Sequence, residues 1–301
     1  MKLDLDNLEK TYNLIKKEIK EEIIDSFDVV KTVEEYRYFW KPDKIKVLLL
    51  AESHVCTTEE EYNKNLNKQE LQKLEDFIEE INWNNYPKNY VKFVYCLGYG
   101  ENKLLSNKIK NNRGTPDYWK IFASCVAEDG NTLEDFFKKL NFKDNDERIK
   151  TKIKILKKMK RKGIWLVDAS IIGIAGNNAL RNVSKKEKII ELTWDNYLER
   201  EIEEIIEQNN LCGVIIIGKR VKNILEEKIK CIQKRIWIKN LNFLIEVREK
   251  EEEIKGIDGI ITEIYMGKGI KIMKIPQPRG WKGNRKKYFD EIQKFCIEFI
   301  N

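Results

Sequence analysis

Four short apolar runs, each separated from the next by charged, helix-periodic sequence, constrain this chain more than any other feature. They are "IKVLLLA" (45–51), "IWLVDAS" (164–170), "CGVIIIGK" (212–219) and "GIKIMKIPQP" (269–278). Runs so short and so continuously apolar read as strands buried on both faces, and helices between them imply parallel pairing. The run "YVKFVYCL" (90–97) is a further strand candidate. The expected fold is α/β, a three-layer α/β/α sandwich around a central four-stranded, mostly parallel sheet. Ligands of such sheets sit beyond the carboxyl ends of the strands. The segments "AESHV", "LVDASI", "IIGKR" and "IPQPRGW" should therefore converge on one edge.

Helical spacing is clearest over 5–38, 68–81, from Tyr118 onward, over 148–163, 194–209 and 286–300, with Gly163 placed to stop its helix. The chain reads as one domain over 1–301, with 1–40 as an N-terminal helical extension packed on it and 240–268 as an insertion or hairpin. No segment has the apolar length of a membrane span, and the charged N-terminus lacks the apolar stretch of a signal peptide, so the expected location is the cytoplasm. The expected state is a monomer without cofactor. The net charge of +7, from 57 Lys and Arg against 50 acids, permits a nucleic-acid partner without requiring one. Six cysteines stand far apart with no CxxC pair and read as reduced core thiols, and a single histidine cannot build a His-rich metal site.

That histidine lies in "KVLLLAESHVCTTEE" (46–60), where the first strand run ends on Glu52, Ser53 and His54. The stretch has no glycine, so neither a GxGxxG dinucleotide turn nor a GxxxxGK[ST] phosphate loop follows this strand. A GxSxG nucleophile elbow is absent from the chain as well. Read without further context, Glu52 caps the following turn and His54 bonds a backbone carbonyl.

The order and placement of four motifs resemble the uracil-DNA glycosylase superfamily over about residues 45 to 290. "LLLAESHV" stands where members carry GQDPY-, GEAPG- or GxNPG-type motifs after the first core strand. "TPDYWKIF" (115–122) is similar to the helix start of the mismatch-specific and hypoxanthine-type branches. "IWLVDAS" matches the strand whose polar end reads a flipped base, "VIIIGK" is similar to the next core strand, and "KIPQPRGW" to the HPSP-type loop that contacts DNA. The chain departs from the pattern at Ala51 in place of glycine, His54 in place of proline, and Gln277 where many members have histidine. A water-activating aspartate and a loop histidine do not carry over.

The resemblance implies a monofunctional DNA glycosylase that flips a base out of DNA and hydrolyses its N-glycosidic bond. Departure of the base builds positive charge on the sugar and negative charge on the base. Glu52 is then expected to stabilise the sugar cation or position water, and His54 or Gln277 to stabilise the leaving base. Asp168 takes the base-reading position. An ionised carboxylate only accepts hydrogen bonds, which disfavours uracil O4 and suits an exocyclic amino group such as cytosine N4. A cytosine-type, modified base is the expected substrate, and some members of the superfamily defend prokaryotes against phages with such bases. Tyr118 is the expected stacking ring, with Ser53 and Tyr99 lining the pocket. Arg279 and Trp281 are expected as clamp and wedge, and Lys282, Arg285 and Lys286 as phosphate contacts. The alternatives are a uracil or hypoxanthine repair glycosylase, a catalytically inactive DNA-binding relative, and an unrelated α/β enzyme acting on small molecules.

Overall fold

β1 (Val47–Ala51), β2 (Ile164–Asp168), β3 (Gly213–Ile217) and β4 (Lys271–Ile275) form one sheet in the order β2-β1-β3-β4, each neighbouring pair parallel. The chain is described here by a computed structural model covering residues 2–19, 25–73, 83–112, 116–140, 144–176, 180, 182–208, 210–250, 270–281 and 283–300. Every residue of β1, β2 and β3 is buried, as continuous apolar strands between two helical layers must be. β4 lies at one edge and exposes Lys271 and Lys274. These cations pair with Glu298 and Glu226, and charge on an edge strand opposes pairing with another chain.

The opposite edge, β2, is covered differently. The run 90–97, expected as a strand, is a series of buried turns. Its polar groups are met by side chains: the Thr57 hydroxyl accepts from Lys92 N, the Tyr86 hydroxyl accepts from Leu97 N, and the Trp40 indole donates to Tyr95 O. The Tyr95 hydroxyl in turn accepts from Leu166 N of β2 at 2.8 Å. The run is apolar because it seals a sheet edge, and burial alone leaves the same sequence signature as a strand.

The helices are α1 (Leu5–Ile19), α2 (Phe27–Phe39), α3 (Glu59–Tyr62), α4 (Lys68–Gln72), α5 (Tyr118–Val126), α6 (Leu133–Leu140), α7 (Asn145–Lys162), α8 (Val183–Thr193), α9 (Glu199–Glu207), α10 (Lys219–Lys250) and α11 (Arg285–Ile300). α8 and α9 run on through a π turn, Trp194–Leu198, so the helix expected over 194–209 begins earlier, at Val183. Only the start of the expected 68–81 helix lies within the described residues. Of the expected insertion at 240–268, residues 240–250 continue α10 and the rest lies outside them.

α5, α7 and α11 pack together, with α7 against β2, whereas α10 packs on β3, α8 and α9, and α8 on α1. The β1–β2 and β2–β3 connections run in opposite directions along the sheet, so right-handed crossovers put their helices on opposite faces. The outcome is three layers. Among the described residues no helix is long and apolar enough to cross a membrane. Cys96, Cys125 and Cys296 are buried free thiols, as expected for core cysteines, whereas Cys231 is exposed.

α7 ends as its sequence demands. Gly163 caps it with φ of 74°, in the left-handed region, and donates to Lys160 O. A Cβ there would lie 2.6 Å from the Lys44 carbonyl oxygen, which belongs to the chain entering β1. Gly163→Ala should therefore cost about 1–3 kcal/mol in chemical denaturation, from strained φ plus the clash.

Candidate functional site

The parallel register fixes the site. Ala51 pairs with Asp168, and the ladder continues beyond both strands as Ala169 N donates to Ala51 O and Ser170 N to Glu52 O. Residues 52–56 thus run beside 169–175, with a bridge between Val55 and Ala175. Ser53 ties the two segments together: its hydroxyl donates to His54 O and accepts from Ile174 N at 3.0 Å. Expected to contact the base, it is committed to backbone instead.

His54 is buried, with both ring nitrogens facing carboxylates. Nε2 lies 2.9 Å from Oδ2 of Asp25, and Nδ1 lies 3.5 Å from Oδ2 of Asp168. The first is a hydrogen bond; the second is an ion pair at the outer limit of hydrogen bonding. Neither Nδ1 nor Asp168 Oδ2 has a hydrogen-bond partner. Asp25, itself buried, also accepts from Thr57 N at 2.8 Å and Gly173 N at 2.7 Å. Only glycine fits at 173, since a Cβ would lie 2.6 Å from Cys56 N and Cα and 2.8 Å from Asp25 Oδ2.

Burial alone would push the imidazole toward its neutral form. Asp168 and Asp25 outweigh it and raise the His54 pKa to about 9, so the ring is a cation at neutral pH. Burial likewise opposes the Asp25 carboxylate, but His54 and the two backbone N–H donors hold its pKa below the ordinary value. The Cys56 thiol, near Asp25, is pushed up to about 12, mainly by burial. His54 was expected to act on the leaving base; enclosed on both sides, it supports Asp168 instead.

The remaining strand ends supply the other groups. Glu52, one residue past β1, forms an ion pair with Arg220, which stands three residues past the end of β3. Both are half-buried, and Arg220 Nε has no partner. Tyr118, the first residue of α5, donates its hydroxyl to Gln277 Oε1 at 2.9 Å, and Gln277 Nε2 lies 3.4 Å from Ile217 O at the end of β3. Gly218 has φ of 99° and makes room for that amide; a Cβ would stand 2.7 Å from Nε2. Burial first, then the negative charge of Asp168, raises the Tyr118 pKa, so the phenol remains a neutral donor. Of the four residues expected to share one pocket, Tyr118 bonds Gln277 and is near enough to Asp168 and Glu52 for their charges to act on its phenol, so all four lie at the carboxyl edge.

Tyr99 is half-buried; burial raises its pKa, and Arg279 is near enough to oppose the shift. Arg279 is exposed in the 3₁₀ turn Pro278–Gly280, and Arg285 and Lys286 are exposed at the start of α11. Lys282 lies outside the described residues. Trp281 corrects its expectation. It is fully buried, donates to Pro276 O at 3.1 Å and packs on Tyr288, so it anchors the loop and cannot enter a duplex as a wedge. Among the described residues no group of three His, Cys, Asp or Glu is arranged to hold a metal ion. No protein-family model, curated protein or solved structure matches the chain.

Two site residues escaped the sequence reading. Arg220 sits within "IIGKR", a strand end already expected at this edge. Asp25 gave no signal, because an acid just before a helix normally faces solvent.

The raised His54 pKa contributes stability that is fully present below the unfolded value near 6.5 and is lost as pH rises through about 9. The depressed Asp25 pKa contributes stability present above its ordinary value of 3.8 and lost as pH falls through the lower folded value. Denaturation midpoints of the wild type should therefore fall between pH 6.5 and 9, by on the order of 3 kcal/mol in stability. His54→Gln should be less stable at pH 6.5 and lack that decline; an equal decline in the variant would assign it to another group.

Proposed function

We propose that the chain is a DNA glycosylase that receives a flipped, cytosine-type base at the carboxyl edge of the sheet and hydrolyses its N-glycosidic bond. One observation carries this reading: the ends of all four strands deliver polar side chains to a single edge, Glu52 after β1, Asp168 on β2, Arg220 after β3 and Gln277 after β4, with the Tyr118 ring among them. A base removed from the stack needs an aromatic surface and groups that read its polar edge. Tyr118 offers the ring, Asp168 an acceptor for an exocyclic amino group, and Gln277 an amide.

In the cleavage step the bond between the sugar carbon and the base nitrogen breaks with its electron pair leaving on the base. Glu52 stabilises the positive charge that develops on the sugar; water then adds to the sugar carbon, and the proton it loses neutralises the departed base. Arg220 holds the Glu52 carboxylate in place before substrate arrives. Exposed Arg279, Arg285 and Lys286 supply the phosphate contacts. With Trp281 in the core, Arg279, exposed in this loop, takes over the proposed role of contacting an opened duplex.

Glu52→Gln should reduce abasic-site formation on the order of 10²–10³-fold while DNA binding changes little. Equal loss of binding and cleavage would assign Glu52 to the fold. Asp168→Asn should shift preference from amino-bearing bases toward uracil by about tenfold or more, read from single-turnover rates on matched oligonucleotides. Tight DNA binding with no base released from any substrate would favour the inactive relative over the enzyme.

A further inference from the structure

We infer that Asp25 and His54 are positioning residues that fix the hydrogen-bonding polarity of Asp168, so that its free face accepts and the selected base must present an exocyclic amino group. The inference rests on the glycosylase reading and adds the residues that enforce its specificity.

Asp25 is the fixed end of the cluster. Its Oδ1 accepts from Thr57 N and its Oδ2 from Gly173 N and His54 Nε2, at 2.7–2.9 Å. Two of those donors are backbone amides, which cannot turn away, so Asp25 must be an acceptor toward both. Against the cost of burial, His54 and the two amides hold the Asp25 pKa below its ordinary value, so at neutral pH it is a carboxylate that only accepts; Nε2 carries a proton, and the remaining question is Nδ1. It faces Asp168 Oδ2 at 3.5 Å, and both atoms are buried without a hydrogen-bond partner.

Four proton placements can be weighed. If only Nδ1 is protonated, Oδ2 faces an N–H from a cation and Asp168 accepts on both oxygens. If Nδ1 is bare and Asp168 carries the proton on Oδ2, the O–H points at Nδ1 and the other oxygen still accepts. A proton on Oδ1 of Asp168 would offer a donor to a ligand, with Nδ1 either bare or protonated. With Nδ1 bare, its lone pair meets the lone pairs of Oδ2 in a buried site, an unpaired polar contact of the costliest kind. With Nδ1 protonated, the carboxyl group would be neutral against an imidazolium cation, whose charge favours the carboxylate. Packing and charge together disfavour both states in which Asp168 could serve uracil O4. The groups facing the ring agree with the first placement. Asp25 and Asp168 are the acids against it, Phe93 packs edge-on, and the nearby Cys56 thiol and Tyr118 phenol both have raised pKa values and stay neutral at pH 7. Tyr12 meets Asp25 only through its backbone carbonyl.

His54 is the only histidine in the chain, so ¹⁵N-histidine labelling reports this ring alone. Both ring nitrogens should show imidazolium shifts at pH 7.5, with a titration midpoint near 9. In Asp168→Asn the midpoint should fall by roughly one unit or more as one of the two carboxylates is lost. A midpoint unmoved in Asp168→Asn would overturn the inference whatever the protein acts on. The specificity arm uses His54→Leu and Asp25→Asn, assayed on paired oligonucleotides bearing an amino-substituted base or uracil. The preference for the amino-bearing base should drop by about tenfold or more. Parallel loss on both bases would mark a purely structural role and contradict the inference. A wild type that releases no base, with the His54 titration as expected, would remove the glycosylase reading and the base selection with it.

Discussion

Everything at the carboxyl edge depends on one buried cation held between two buried carboxylates. Charges removed from water are costly unless paired and hydrogen-bonded, and breaking such a group by deleting one member typically costs about 3–5 kcal/mol. Asp25, His54 and Asp168 are paired by drawing three separate parts of the chain together, with the hydrogen bond on the Asp25 side. Asp25 comes from the segment before α2, His54 from the turn after β1, and Asp168 from the end of β2. The N-terminal helices therefore contribute directly to the site. Loop 170–175 is fixed by the same cluster through Gly173 and, at its far side, by Ser53.

Two further buried ionic groups frame the sheet away from this edge. Arg37, almost wholly buried, binds Glu34 and Glu201 and lies over the rings of Tyr38 and Trp165, joining α2 to α9 across β2. The Tyr38 and Tyr197 hydroxyls complete the shell of the two acids. On the other side Glu101 receives Arg148 and the buried Lys152, fastening the loop after 97 to α7. Lys152 also lies over the Trp119 ring, one residue from Tyr118. Arrangements of this kind contribute little net stability against an apolar core, but each has only one satisfied geometry.

Much of the architecture was legible because it follows from periodicity. The strand runs at 47–51, 164–168, 213–217 and 271–275 were continuous and apolar, and Gly163 announced the end of α7. The run 90–97 misled for a physical reason, since a segment that seals a sheet edge is as apolar as a strand within it. Glu52, Asp168 and Gln277 were expected at this edge because they end or follow strand runs, and Tyr118 because of the resemblance carried by "TPDYWKIF"; all four lie beside it. Trp281 was misplaced because an aromatic in a loop looks the same whether it faces the core or DNA. Asp25 was invisible, since its role arises only when a distant histidine folds against it; the lone His54 was the clue, and its partners were not.

If this edge excises a base, as we propose, incubating the purified chain with oligonucleotides carrying cytosine, modified cytosines, uracil and hypoxanthine should yield free base and abasic sites, both measurable by mass spectrometry. The expected product is an amino-bearing, cytosine-type base, lost in Glu52→Gln. Release of uracil or hypoxanthine with no amino-bearing base would contradict the role given to Asp168. Release of nothing from any oligonucleotide would contradict the glycosylase account itself.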